Sequence, residues 1–136
     1  MILLDTCAVV WIGNREPMSA ASIKAVRDAA SRGELLVSPV SGWEIGLATT
    51  RRKAPLLLMP TPQRWFADFL SLPGVRIVPL EPDVALEASY LPGQLHRDPA
   101  DRLLIATARG LGVPLVTRDE RILDYAAEGH VLAIAC

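Results

Sequence analysis

The sequence holds only two cysteines in 136 residues, Cys7 and Cys136, which form neither a C-x-x-C pair nor a disulfide framework. Its chemistry must therefore come from other residues, and a reducing cytoplasm is the expected setting. Histidine is equally scarce: His96 and His130 stand 34 positions apart, outside any close-spaced zinc motif, which argues against a Cys/His metal site and against a histidine base. No stretch of about 18 apolar residues is available to cross a bilayer. The opening Met1-Ile2-Leu3-Leu4 has no basic start and meets an acid at Asp5, so it does not read as an export signal. An excess of charge is also missing. With 14 Lys+Arg against 15 Asp+Glu the net charge is −1, which argues against a binder held to nucleic acid by bulk positive charge, though not against a nuclease. Repeats and low-complexity tracts are absent, and Arg51-Arg52-Lys53 is the one basic run.

What is present is apolar surface: 51% hydrophobic against 21% charged residues, with 11 Pro and 9 Gly scattered as punctuation. That balance suits one soluble domain over residues 1–136 with a substantial core. Short apolar runs at Ile2-Leu3-Leu4, Leu35-Leu36-Val37, Val75-Arg76-Ile77-Val78, Leu115-Val116-Thr117 and Val131-Leu132-Ala133-Ile134 read as five strands. Between them lie helical stretches: Ala8 to Ile12, Ser19 to Ser31 ended by Gly33, a start at Ser41-Gly42-Trp43-Glu44 in S-x-x-E form, and another at Thr61-Pro62. Further helices open at Pro82, running to about Tyr90, at Asp98-Pro99-Ala100-Asp101, closing near Gly110 and Gly112, and at Arg118-Asp119-Glu120, reaching about Leu123. The alternation predicts an α/β domain, its mainly parallel central sheet covered on both faces by helices.

In such folds the strand ends and the following helix starts share one edge, where sites form. Asp5 follows the first strand, Glu44 falls in the first turn after the second, Asp101 in the first turn of the helix before the fourth, and Asp119 two residues beyond Thr117. Each has an ordinary alternative. Glu44 could cap back to Ser41, Asp101 toward Asp98, and Asp5 and Asp119 could complement helix dipoles. Together they fit those roles poorly, because carboxylates about 4 Å apart repel by roughly 4 kcal/mol per pair at an effective dielectric of ~20. Four converging acids need a cation or raised pKa values, and all-oxygen ligation favours Mg²⁺ or Mn²⁺ over zinc.

These residues carry a family resemblance. Leu3-Leu4-Asp5-Thr6, the stretch Ser38 to Ile45 (SPVSGWEI), His96 to Ala106 (HRDPADRLLIA) and Val116-Thr117-Arg118-Asp119 resemble, in order and spacing over essentially the whole chain, the PIN domain of VapC-type toxins from toxin–antitoxin pairs. The resemblance implies a PIN-like three-layer sandwich and an Mg²⁺-dependent endoribonuclease, with Mn²⁺ able to substitute. It also implies a homodimer inhibited by a small antitoxin protein. Carried over by position, Asp5, Glu44, Asp101 and Asp119 match the family's acidic quartet. Asp5 and Asp101 are then the firmest metal ligands, Asp119 binds directly or through water, and Glu44 either ligates or orients the attacking water. Thr117 either positions a water or carboxylate or is an ordinary strand residue. Asp98 fits an N-cap better than a ligand.

Arg102 and Arg118, with Arg97, flank the acidic edge and could hold substrate phosphates, with salt bridges to the acids as the alternative. Arg51-Arg52-Lys53 fits the C-terminal dipole of the Glu44 helix better than RNA. His96 reads as a surface residue, Cys7 as a small core residue, and Trp11, Trp43 and Trp65 as core packing. The apolar connector Pro55 to Pro60 must cover its own core or meet another chain. One rival from a different class is a non-catalytic binding module whose acidic edge grips a basic peptide; another is a phosphatase or phospho-acceptor domain, although the D-x-D pair usual there is lacking after Asp5. Setting the quartet aside leaves 15 − 4 = 11 acids against 14 bases, so the rest of the chain carries 14 − 11 = +3.

Overall fold

Residues alternate between the two faces of a strand, and in the computed structural model, which describes residues 1–136, this alternation builds two cores. Strand β1 (Ile2–Leu4) is central, flanked by β2 (Leu35–Val37) and β4 (Leu115–Thr117), with β3 (Val75–Ile77) and β5 (Ala133–Ala135) at the edges, in the order β3-β2-β1-β4-β5. Every pairing is parallel, so the sheet expected to be mainly parallel is wholly so. Leu3 is in register with both Leu36 and Leu115. On their face pack Leu104 and Ile105 of α6 (Pro99–Leu111) and Ile122 and Tyr125 of α7 (Glu120–Ala127). The opposite face presents Ile2, Leu4, Leu35, Val37 and Val116 to Val9 of α1 (Thr6–Gly13), Ala29 of α2 (Ala20–Ser31), Ile45 of α3 (Pro39–Thr49) and Phe69 of α4 (Pro62–Leu70). The result is a three-layer α/β sandwich. The short α5 (Pro82–Glu87) buries no residue.

From β1 the chain winds outward to β2 and β3, then returns through α5 and α6 to place β4 on the other side of β1. Strand order therefore reverses between β1 and β4, and a crevice opens there at the carboxyl ends of the strands. The starts of α1, α3 and α7 follow β1, β2 and β4 directly onto this edge, and α6, which leads back into β4, also begins on it.

Cap chemistry sets the helix boundaries. Thr61 accepts the Arg64 N–H at 3.2 Å with Pro62 in first position, as expected. The same signature at Ser38-Pro39 starts α3 three residues earlier than the S-x-x-E spacing implies, with the Ser38 hydroxyl accepting from Val40 at 3.1 Å. Glu44 consequently lies in the second turn rather than the first, and Ser41 is fully buried. Arg51 to Lys53 fall beyond the Thr50 cap, so the last turn of α3 carries no basic residue. Toward the C-terminus, α5 ends at Glu87 rather than near Tyr90, α7 runs past Leu123 to Ala127, and β5 begins at Ala133 because Val131 turns into the core. Trp65 stacks on Phe69 as core packing requires, whereas Trp43 is 53% exposed. In the connector only Leu58 is buried; Leu57 and Met59 are 79% and 77% exposed. No helix is long and apolar enough to cross a membrane.

Gly74, which precedes β3, has φ +87°, and a Cβ there would be driven into the backbone carbonyl of Ala30; Gly33, at φ +70°, has open space around it. Gly74→Ala should lower the unfolding free energy by more than about 2 kcal/mol, against about 1 kcal/mol for the conformational penalty alone in Gly33→Ala. Urea midpoints of the two variants check this.

Candidate active site

The crevice at the switch point is a cavity of about 300 Å³ lined by Asp5, Glu44, Asp101 and Asp119 together with Thr6, Cys7, Trp11 and Arg118. All four acids expected on one edge thus share one cavity. Local structure fixes each of them. Asp5 is the N-cap of α1, its Oδ1 accepting the Ala8 N–H at 2.7 Å, and is only 6% exposed. The Thr6 hydroxyl donates to Glu44 Oε1 and lies 3.2 Å from the Ser41 hydroxyl, tying α1 to α3. Asp98 caps α6 by accepting the Asp101 N–H at 3.0 Å, which leaves the Asp101 side chain free for other partners. Asp119 caps α7 through the Arg121 N–H at 2.8 Å. Buried Thr117 accepts the Asp119 N–H at 3.1 Å, and its hydroxyl lies on the Asp5 side of the cavity, where it opposes the rise of the Asp5 pKa.

Electrostatics follow from burial. Asp5 is raised to about 6, mainly by desolvation, opposed by its bonds to Thr117 and Ala8 and reinforced by Asp101 and Asp119. Desolvation also raises Glu44 and Asp101, with the Thr6 hydroxyl opposing the first and His96 the second. Asp119 is lowered instead, because Arg121 grips it with Nη2–Oδ2 at 2.8 Å and Nε–Oδ1 at 3.2 Å. The same Arg121 Nη2 lies 3.8 Å from Asp101 Oδ2.

Metal-ligating atoms gather in two overlapping groups, Glu44 with Asp98 and Asp101, and His96 with Asp101 and Asp119, each within 4.8 Å. Asp101 belongs to both. A set dominated by carboxylate oxygens, with Glu44 and Asp101 raised by burial, fits a hard divalent cation; Asp5, also raised, lines the same cavity outside both groups.

A family model described as PIN domain matches residues 2–128. The chain belongs to the PIN domain family. Among curated proteins, this PIN domain is 33% identical over 125 residues to Ribonuclease VapC22 of Mycobacterium tuberculosis (strain ATCC 25618 / H37Rv), covering 91% of each chain. Its fold is similar to that in the crystal structure of VapBC2 from Rickettsia felis bound to a DNA fragment from their promoter, with TM-score 0.70, 17% identity and coverage of 99% of this chain and 98% of that one. It is also similar to Mycobacterium tuberculosis VapC20, a Sarcin-Ricin loop cleaving toxin, with TM-score 0.61, 22% identity and coverage of 96% and 97%.

Several residues of this PIN domain depart from expectation. His96 is no surface residue: its side chain is 16% exposed, Nε2 lies 2.6 Å from Asp101 Oδ2, and Nδ1 is buried without a partner. Arg102 does not line the cavity. Its guanidinium donates to the carbonyls of Ala88, Leu95 and His96 at 2.8 to 3.3 Å, pinning the loop before α6. Arg118 does line it. Cys7 is exposed in the cavity rather than packed in the core, and desolvation together with the nearby acids pushes its thiol up to about 11, which leaves little thiolate for nucleophilic chemistry. Arg121, Thr6 and His96 were missed as site residues. Proximity in sequence to Asp119, Asp5 and Asp101 was the only signal available.

The Asp5 value carries a stability consequence. An acid whose folded pKa lies above its unfolded one binds its proton more tightly when folded, so its contribution is full below about pH 4 and is lost as pH rises through about 6. The change from 3.8 to about 6 corresponds to about 3 kcal/mol. Asp5→Asn retains a capping side chain and, with divalent ions chelated, should be more stable than wild type at pH 8 by up to that amount, the gap closing at pH 4. Urea denaturation at both pH values measures it; a gap independent of pH would contradict the assignment.

Proposed function

We propose that this PIN domain is an Mg²⁺-dependent endoribonuclease, with Mn²⁺ able to substitute, and the toxin of a toxin–antitoxin pair. The observation that carries the reading is the convergence of Asp5, Glu44, Asp101 and Asp119 on one cavity at the switch point of the sheet. Membership of the family and the likeness over nine-tenths of the chain to a curated ribonuclease support it.

Asp5 and Asp101 would hold the cation, with Asp119 completing the set directly or through water and Asp98 adjoining it beside Glu44. When bound, such a cation acidifies water and offsets charge developing on a phosphodiester. Glu44, steadied by the Thr6 hydroxyl, orients a water molecule for attack on the phosphorus. Thr117 steadies Asp119 through its N–H and favours the charged form of Asp5. Arg118, at the cavity wall, meets the RNA strand. Arg121, which neutralises Asp119 in the structure, would yield that carboxylate to a bound cation. The small antitoxin and a second copy of the chain would meet apolar surface still exposed, which includes a groove of about 200 Å³ beside Met59, Trp65 and Leu72.

Purified protein freed of antitoxin should cut a diverse labelled RNA pool with Mg²⁺ or Mn²⁺ and lose that activity in chelator. Asp5→Asn and Asp101→Asn should each reduce cleavage by on the order of 100-fold, at the upper end of losses seen when the support of a metal ligand is removed. Full activity in chelator, or in Asp5→Asn, would contradict the mechanism.

A further inference from the structure

We infer that Trp11 and Arg118 form a rigid stacking subsite for a nucleobase of single-stranded RNA at the wall of the acidic cavity, an inference that rests on the proposed RNA-cleaving role. Arg118 Cζ lies 3.7 Å from the Trp11 ring centroid. Two further anchors fix the plane of the guanidinium, since Nε donates to the main-chain oxygen of Cys136 at 2.9 Å and Nη2 to the Pro17 carbonyl at 3.2 Å. The end of β5, the segment between α1 and α2, and the residue after β4 therefore meet at one flat cation.

Arg118 differs from the other arginine of the acidic edge. Arg121 is paired with Asp119 and lies close to Asp101, whereas the contacts of Arg118 are the main-chain oxygens of Pro17 and Cys136 and an indole face, with no Asp or Glu side chain paired to it. It remains exposed, and no second ring lies over it. A planar cation with one face on an indole and the other open presents the surface on which an unpaired base stacks. The position gives this surface its use. Trp11 and Arg118 share the cavity wall with Asp5, Glu44, Asp101 and Asp119, so a base stacked there holds its own phosphate against the carboxylates. Its positive charge also offsets the repulsion that those acids exert on an approaching polyanion. Base-on-plane stacking tolerates sequence because every base has a π face, so the subsite selects unpaired RNA over duplex rather than one base over another.

Fluorescence anisotropy with two short labelled single-stranded RNAs of equal charge tests this, one with all its bases and one with abasic riboses in its central portion, both in buffer with Ca²⁺ in place of Mg²⁺. Wild type should bind the intact RNA about tenfold more tightly than the abasic one, as stacking of one base provides. Arg118→Lys keeps the charge and loses the plane; it should bind the abasic RNA as wild type does and the intact RNA no better. A role confined to holding Pro17 and Cys136 would not depend on whether the RNA carries bases. Equal binding of both RNAs by wild type overturns the inference, and so does a folded Arg118→Lys that discriminates as wild type does. Should that variant fail to fold, the wild-type comparison decides. Discrimination by wild type that cuts no RNA in Mg²⁺ would refute the nuclease reading and leave the stacking subsite standing.

Discussion

The crowding of carboxylates at the carboxyl edge of a parallel sheet is the constraint on which the rest of this structure depends. Asp5 sits almost wholly out of water between two other strands' functional ends, and Asp101, Asp119 and Glu44 share its cavity. Burial makes each of these charges costly and the neighbouring acids add to that cost, unless charge is removed or compensated. The chain answers with devices of fixed partial charge. Four helices begin on this edge and turn their N–H ends toward it, and three of the acids or their neighbours serve as caps. Hydroxyls of Thr6 and Thr117, the imidazole of His96 and the guanidinium of Arg121 supply the rest. Even so, burial leaves Asp5, Glu44 and Asp101 raised, a residual demand that a divalent cation would meet.

The fold concentrates this charge without making the protein acidic as a whole. Winding outward from β1 and then back to β4 opens a crevice between those two strands, whose following helices α1 and α7 pack on opposite faces of the sheet, and the acids line it. With the quartet removed from the count, the remainder carries +3. That distribution suits the proposed role, in which a polyanion would approach the body of the protein while its phosphate meets a cation held in the acidic cavity.

The strands and the quartet were legible because both rest on local rules. Continuous apolar triplets such as Leu35-Leu36-Val37 mark strands buried on both faces, and an acid directly after such a triplet falls at the strand end whatever the tertiary arrangement. Boundaries were less legible where two local signals competed: at the start of α3, Ser38-Pro39 prevailed over the S-x-x-E spacing from Ser41 because a proline in first position is already set for the helix and gives up no needed N–H. Side-chain partners over longer separations were not legible. His96 turns back onto Asp101 while the Arg102 guanidinium holds the carbonyls of Leu95 and of His96 itself, and Arg118 reaches Pro17 across 101 positions of sequence. Exposure of Trp43 and Cys7 likewise depends on which helix faces the fold leaves uncovered, which helical periodicity alone does not specify.

Titration of the isotopically labelled protein with Mn²⁺, followed by NMR line broadening, tests the central claim most directly. At neutral pH the account predicts saturable broadening centred on Asp5, Glu44, Asp101 and Asp119 and falling off toward the larger cavity of about 490 Å³ beside α5 and α6, with Asp101→Asn weakening it at least tenfold. Absence of divalent uptake, or broadening centred away from the four carboxylates, would contradict it and favour a non-catalytic module that grips a basic peptide.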